Sequence, residues 1–315
     1  MARGGEAGDS PVCQIEVELR PTERVVLTDI IGHPVYETLM GLLDRADVGG
    51  DVGEQPLEGV HVGGFWGRYG EGGRPQERTL RPEETYRFQL GVVDPELIPA
   101  FQTVFEQVVP EGAELPYSGG TLEVVSATQE YTDRQALLEA AAEIDSPAMN
   151  VWFRTPTCLE PDETRTMCPC RGTVFESLLA TWNQWAPEEL VFDIDRERIE
   201  AAVRERPHFR TFETHSVAVE RDATAGAEPV YSTREGFSGG ITYEFSEANG
   251  AVQNALVAAA LLGQISGIGH YRDRGCGDLA VEVEGEDTAG PSPIPWLGPS
   301  PLAIRPSPFR NQESQ

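Results

Sequence analysis

The order strand–helix–strand–strand–helix–strand occurs twice along this chain, and that repetition admits few folds. In the first half Cys13, Ile15, Val17 and Leu19 alternate with Gln14, Glu16 and Glu18, the period of a half-buried strand. Val35, Leu39, Leu42, Leu43 and Ala46 recur at helical spacing behind His33-Pro34, a position where proline is tolerated. After a glycine-rich loop, residues 60–66 read as a second strand. Tyr86, Phe88, Leu90 and Val92 mark a third. Leu97, Ile98, Phe101, Val104, Phe105 and Val108 mark an amphipathic helix, and a strand near 121–126 follows Gly119-Gly120.

The second half repeats the order. A strand over 150–155 is expected to stop at Pro156, and Val174, Phe175, Leu178, Leu179 and Trp182 mark a helix. A short extra helix over 196–204 precedes a strand at 208–220, which a long hairpin connection joins to one at 240–245. An apolar helix over 251–265 and a last strand through Leu279, Val281 and Val283 complete the unit. The pattern predicts an α+β fold of two tandem ferredoxin-like (βαββαβ) domains with a C-terminal glycine-rich loop. The domains span 11–140 and 148–285. Residues 1–10 read as disordered, as does a tail over 286–315, part of a stretch from Gly285 that holds seven prolines.

The loop over 266–278 carries Gly267, Gly269, Gly275 and Gly277 as two G-x-G pairs, with Arg272 and Arg274 between them. Glycine lets backbone amides approach a ligand closely, and arginine adds charge-assisted hydrogen bonds to phosphate. The loop follows a helix instead of opening one, and no lysine follows it, so dinucleotide and P-loop fingerprints are excluded. A polyanion site remains, beside the plainer reading of an ordinary turn.

Charge must be weighed against that reading. The 315 residues hold 24 basic and 52 acidic side chains, net −28, and every basic residue is arginine. Such an acidic, lysine-free surface suits molar salt, where charges are screened over about 3 Å. Any nucleic-acid contact would then rest on local arginines, backbone donors and stacking. Five cysteines, an odd count, suit reduced thiols in a cytoplasm. No signal peptide opens the chain. The longest apolar run, 255–262, is too short to span a membrane. Cys158, Cys168 and Cys170 lack the C-x-x-C spacing of a zinc half-site, so no metal and no cofactor is expected.

Three segments carry a family likeness. They are the glycine-rich loop, Val151-Trp152-Phe153-Arg154-Thr155-Pro156-Thr157, and Gly236-Phe237-Ser238-Gly239-Gly240 leading into the strand at 241–245. Together they make the chain resemble a CRISPR-associated RAMP protein, the endoribonuclease that cuts CRISPR precursor transcripts within each repeat, in a haloarchaeal-type form. The resemblance covers roughly residues 12–285. It implies a metal-independent reaction in which a ribose 2′-hydroxyl attacks the adjacent phosphate, leaving a 2′,3′-cyclic phosphate and a 5′-hydroxyl. It implies CRISPR repeat RNA as partner, with other CRISPR effector subunits as further partners.

Such chemistry needs a base, an acid and a cation. The resemblance points to His61 as the histidine, with His33 as the alternative. The family's lysine is absent, so Arg68 or Arg45 takes the cationic role and Tyr36 or Tyr69 a hydroxyl role. RNA contacts fall on Gly267, Gly269, His270, Arg272, Arg274, Gly275 and Gly277. Arg196 and Arg198 read either as a clamp on the RNA backbone or as a solvated helix face paired with neighbouring glutamates. A non-catalytic RAMP subunit that holds guide RNA is the rival reading.

Overall fold

The computed structural model describes residues 10–27, 32–45, 57–64, 66–71, 78–117, 120–144, 148–160, 166–221, 230–245 and 250–283. The expected disorder of 1–10 and 286–315 falls, Ser10 apart, outside them. The first sheet runs β3 (Val60–Val62), β6 (Tyr86–Val92), β1 (Pro11–Pro21), β8 (Gly120–Asp133), β7 (Glu114–Tyr117), antiparallel throughout. Without the hairpin strand β7 this is the 2-3-1-4 order of a ferredoxin-like unit. The alternation read in β1 is real: Cys13, Ile15, Val17 and Leu19 pack with Leu39, Leu42, Phe101 and Phe105. Those partners come from α1 (Gly32–Arg45) and from α2 (Ile98–Thr103) with its π-helical continuation, Val104–Val108. On the opposite face Arg87 bridges Glu16 and Glu18, each at 3.2 Å. A small side sheet, β2 (Val25–Leu27), β5 (Arg78–Leu80) and β4 (Gly70–Glu71), flanks this lobe.

The second sheet runs β10 (Arg204–Pro207), β12 (Val230–Glu244), β9 (Ala148–Thr157), β13 (Leu279–Val283), the same order again. β11 (Glu213–Arg221) pairs with the outer half of β12. Helices α4 (Arg171–Trp185) and α6 (Gly250–Ser266) cover one face, and α5 (Arg196–Ala202) packs on α4. The chain is therefore two tandem ferredoxin-like units.

Four details differ from expectation. β9 continues through Pro156, because the register of its partner shifts between Phe237 and Gly239, and proline is tolerated at such irregularities. The strand expected at 208–220 starts only at Glu213, as β11, after a 3₁₀ turn at Phe209–Thr211, and a separate strand, β10, lies upstream of it. The strand expected over 60–66 ends at Val62, and Trp66 makes only an isolated bridge to Arg87. The expected end of the first domain, at 140, falls inside a helix, α3 (Arg134–Glu143), whose N-cap Asp133 accepts from the Ala136 amide.

α6 is buried on all sides from Ala255 to Leu262. It lies against α3 and α4 on one flank and touches β1, β3 and β6 of the first sheet on another. At Gly91 of β6 a side chain would fall onto the Ile265 carbonyl. Backbone thus meets backbone where the lobes join. The fold leans on this helix: Leu256→Ala, at a fully buried position, should lower unfolding free energy by about 2–5 kcal/mol, measured by denaturant titration.

Candidate nucleic-acid interface at the junction of the lobes

The glycine-rich loop joins α6 to β13 at this junction. Gly267, Gly269, Gly275 and Gly277 all have φ between +63° and +86°. Tyr271 is left-handed too, at φ 61°, ahead of a 3₁₀ turn at Arg272–Arg274. Most of the loop's amides point inward. Ile268 donates to Gly277 (2.9 Å), His270 to Cys158 (3.0 Å), Gly277 to Pro156 (3.0 Å), Cys276 to Tyr271 (3.2 Å), and Asp278 to the Thr155 hydroxyl (2.9 Å). A hydrogen bond between the buried Cys276 and Cys158 thiols adds a side-chain tie to β9. Bare amides offered to a ligand were expected. Instead the glycines satisfy left-handed backbone and close internal packing: at Gly277 a Cβ would fall onto the Ile268 carbonyl.

Gly267 makes room for His61. A Cβ there would lie 2.5 Å from His61 Cδ2. The imidazole, on β3 of the first lobe, is 2% exposed. Its Nδ1 donates to the Ile265 carbonyl (3.2 Å), since a carbonyl only accepts, so the lone pair sits on Nε2, buried without a partner among the described residues. Burial pushes its pKa down to about 4, with Arg272 and Arg154 pushing the same way and Asp278 opposing. His61 was expected to meet substrate as a base; in this structure its ring is enclosed between the lobes. The Val60-His61-Val62 strand turns it into the lobe junction, beneath the loop.

Beside it runs a second tie. Arg154 of β9 bonds Asp278 at 2.6 Å, with side chains 5% and 1% exposed. Arg154 also lies over the Trp66 ring, 4.9 Å from its centroid, and reaches Gln89 at 3.4 Å. Trp66 and Gln89 belong to the first lobe. The roles of Arg154 and Asp278 were missed in the sequence. The signal was there: Arg154 occupies the outward register of β9, and Asp278 directly follows the last loop glycine.

The outer surface of the junction belongs to α1 and the loop's 3₁₀ turn, which pack together. Tyr36 is partly buried. Burial raises its phenol above the ordinary range, the Leu57 amide (3.2 Å from the hydroxyl) lowers it, Asp273 raises it, and Arg274 lowers it. Arg274 is partly exposed and 3.7 Å from Asp273. His270 is exposed beside Tyr271, whose hydroxyl accepts from Arg234 (2.8 Å). His33 lies in the first turn of α1, one turn before Tyr36, and its side chain is outside the described residues, as is that of Arg45 at the helix's last position.

Other expected residues lie elsewhere. Arg272 is turned inward to Thr181 (3.3 Å) and the Ser266 carbonyl (3.4 Å), and burial lowers its pKa. Arg68 is exposed on the way to β4, its carbonyl accepting from the Tyr86 hydroxyl (2.7 Å), and Tyr69 packs on the Tyr86 ring. Arg196 is held by Glu176 (3.1 Å) and Glu200 (2.9 Å), and Arg198 donates to the Asp193 carbonyl (3.0 Å). Arg196 is thus ion-paired with neighbouring glutamates in this structure. Among the described residues no cluster of three or more His, Cys, Asp or Glu could hold a metal ion.

Two outcomes follow. A non-glycine residue at φ +63° costs about 1–2 kcal/mol before any collision. Gly267→Ala should exceed that in thermal unfolding, and His61→Ala in the same chain should recover part of the loss, a coupling of about 0.5–3 kcal/mol. The unfolded His61 takes up its proton near pH 6.5 and the folded one near 4, so its contribution is present above 6.5 and lost as pH falls toward 4. Wild type compared with His61→Leu should lose about 3 kcal/mol across that window, read from denaturant midpoints.

Comparison with known proteins agrees with this geometry. Residues 151–279, from β9 through the glycine-rich loop to the start of β13, match the family model of the CRISPR-associated endoribonuclease Cas6. No curated protein matches the chain. A Thermus thermophilus Cas6 solved as a product complex is 19% identical, with TM-score 0.61, covering 87% of this chain and 100% of its own. Another Cas6 product complex is 17% identical at TM-score 0.58, covering 86% and 99%. The product of a Cas6-related gene from Pyrococcus furiosus is 14% identical at TM-score 0.54, covering 87% and 99%. At such identities the likeness is one of fold. This chain thus has the two-lobed fold of solved Cas6 structures and, over residues 151–279, matches the Cas6 family model.

Proposed function

We propose that the protein is an endoribonuclease that cuts CRISPR repeat RNA to produce mature CRISPR RNA. The observation that carries this reading is the Cas6 match over the whole segment from β9 to the loop. The fold neighbours solved with a product and with a substrate mimic support it. In the proposed mechanism no metal takes part. A ribose 2′-hydroxyl attacks the neighbouring phosphate, leaving a cyclic phosphate and a 5′-hydroxyl.

The proton-transfer role moves from His61 to α1. His33 takes that role, because α1 packs on the loop turn and Tyr36, one turn further along, feels the charges of Asp273 and Arg274. Arg274 supplies the cation for the developing phosphorane charge, in place of the absent lysine, and the Tyr36 hydroxyl is a donor beside it. His270, exposed at the loop tip, contacts RNA. His61 acts at one remove, as a positioning residue that seats the loop.

The reading extends to a haloarchaeal-type protein working in a salt-rich cytoplasm, from the net charge of −28 and the five unpaired cysteines. Among the described residues no helix is long and apolar enough to cross a membrane. One fold neighbour is described as a partial Cas6-RT-Cas1–Cas2 complex, which supports other CRISPR proteins as partners. The burial of His61 favours a second reading, a subunit that binds repeat RNA without cutting it.

Labelled repeat RNA incubated in EDTA and molar salt separates the two. Cleavage to cyclic-phosphate ends is the expected result; binding without product would establish the second reading. His33→Ala should slow cleavage about 10²–10⁴-fold with RNA affinity kept, the scale of general acid–base loss.

A further inference from the structure

Away from the junction, the open face of the second sheet carries a group of rings to which the cleavage site assigns nothing. Met149, Val151 and Phe153 of β9 face the helices, so Trp152 faces the other way. Its cross-strand neighbours are Gly240 and Ala280, the two smallest side chains available. A Cβ at Gly240 would lie 2.7 Å from both the Trp152 ring and His208 Nδ1, so the missing side chain is what lets the two rings settle there. They meet edge to face at 5.3 Å. His208 is anchored through Nε2 to Thr242 (2.9 Å), and Trp152 through Nε1 to Glu282 (3.3 Å). Both remain partly exposed.

Phe209 follows on the 3₁₀ turn and is 81% exposed, the only large apolar side chain among the described residues with more than half its surface in water. Arg210 beside it is exposed as well, and Arg204 and Arg206 lie on the adjoining edge strand β10. Arg206 is paired with Glu244 at 3.6 Å and Glu205 with Arg171 at 3.2 Å, while Glu213, two residues past the turn, is exposed. Arg210 is the exposed cation next to the Phe209 ring.

We propose that Phe209, with His208 and Trp152 behind it and Arg210 at its side, is a stacking platform for an unpaired base of single-stranded RNA. The partner class rests on the RNA-cutting reading above; the site is separate from it. Every base has a π-face, so stacking is tolerant of sequence, and arginine beside it meets the phosphate. Salt also selects this mode. Phosphate contacts weaken steeply as salt rises, whereas stacking does not depend on counterion release. A protein built for molar salt gains more from a ring than from a lysine patch.

The test uses the full chain and a fluorescently labelled unstructured oligouridine, read by anisotropy at low and at molar salt. Phe209→Ala should weaken binding about 5–150-fold at both salts, the loss of one base–aromatic stack, and Phe209→Tyr should restore it. Arg210→Ala should weaken binding at low salt and much less at molar salt. Phe209→Ala binding as wild type does, with circular dichroism unchanged, overturns the platform, as does wild type that cuts repeat RNA without binding oligouridine. Wild type that cuts nothing but shows the Phe209-dependent binding upholds the platform and removes the endonuclease reading instead.

Discussion

Arg154 and Asp278 form an ion pair almost wholly removed from water, and the relation of the two lobes turns on it. Removing one partner of such a pair strands the other charge, typically at about 3–5 kcal/mol. The pair does more than hold β9 to the loop's exit. Arg154 also lies over Trp66 and reaches Gln89, so one guanidinium is shared between the second sheet, the first sheet and the connection beyond β3. Asp278 Oδ2 and His61 Nε2 stay unpaired among the described residues in this same pocket. A buried polar group carries the full desolvation cost unless something repays it. Here the return is position: an arginine with two lobes to satisfy fits only one docking of them.

That docking explains the glycines better than a ligand does. α6 enters the junction with its backbone against Gly91, and the loop must turn back at once to start β13 beside β9. The reversal is made with left-handed residues at five points, four of them glycine. The amides of Ile268, His270 and residues 274–278 are consumed in fixing the turn. What the loop presents outward is His270 and part of Arg274. The loop therefore acts as a bracket that carries a few side chains to the surface.

The element order was legible because strands and helices in a two-layer lobe have one wet face and one dry face, which leaves a period in the sequence. Cys13 to Leu19 and Tyr86 to Val92 are such cases. The α3 helix left a weaker trace, Leu137 and Ala141 one turn apart, because it is short and docks on α6 in place of a sheet. The burial of His61 was not legible for a related reason. Alternation tells which residues share a face but not what lies over it, and here the second lobe covers the face expected to meet substrate. The same blindness hid Arg154, whose register says outward while Trp66 and Asp278 enclose it.

On the proposed reading of a protein that works in molar salt, screening gives the acidic composition a structural meaning. In dilute salt a chain of net −28 would repel an RNA backbone over many ångströms, and only a broad basic face could overcome that. In molar salt repulsion and attraction alike die away within about 3 Å. Recognition then depends on groups in direct contact, which can be few and widely separated. The arginines are divided accordingly: Arg154, Arg196 and Arg272 serve the fold, while Arg210 and Arg274 stay at the surface next to a ring or a hydroxyl. A lysine's advantage, a mobile charge acting at a distance, is the one property such a solvent cancels, whereas guanidinium keeps its planar donors and its ability to stack.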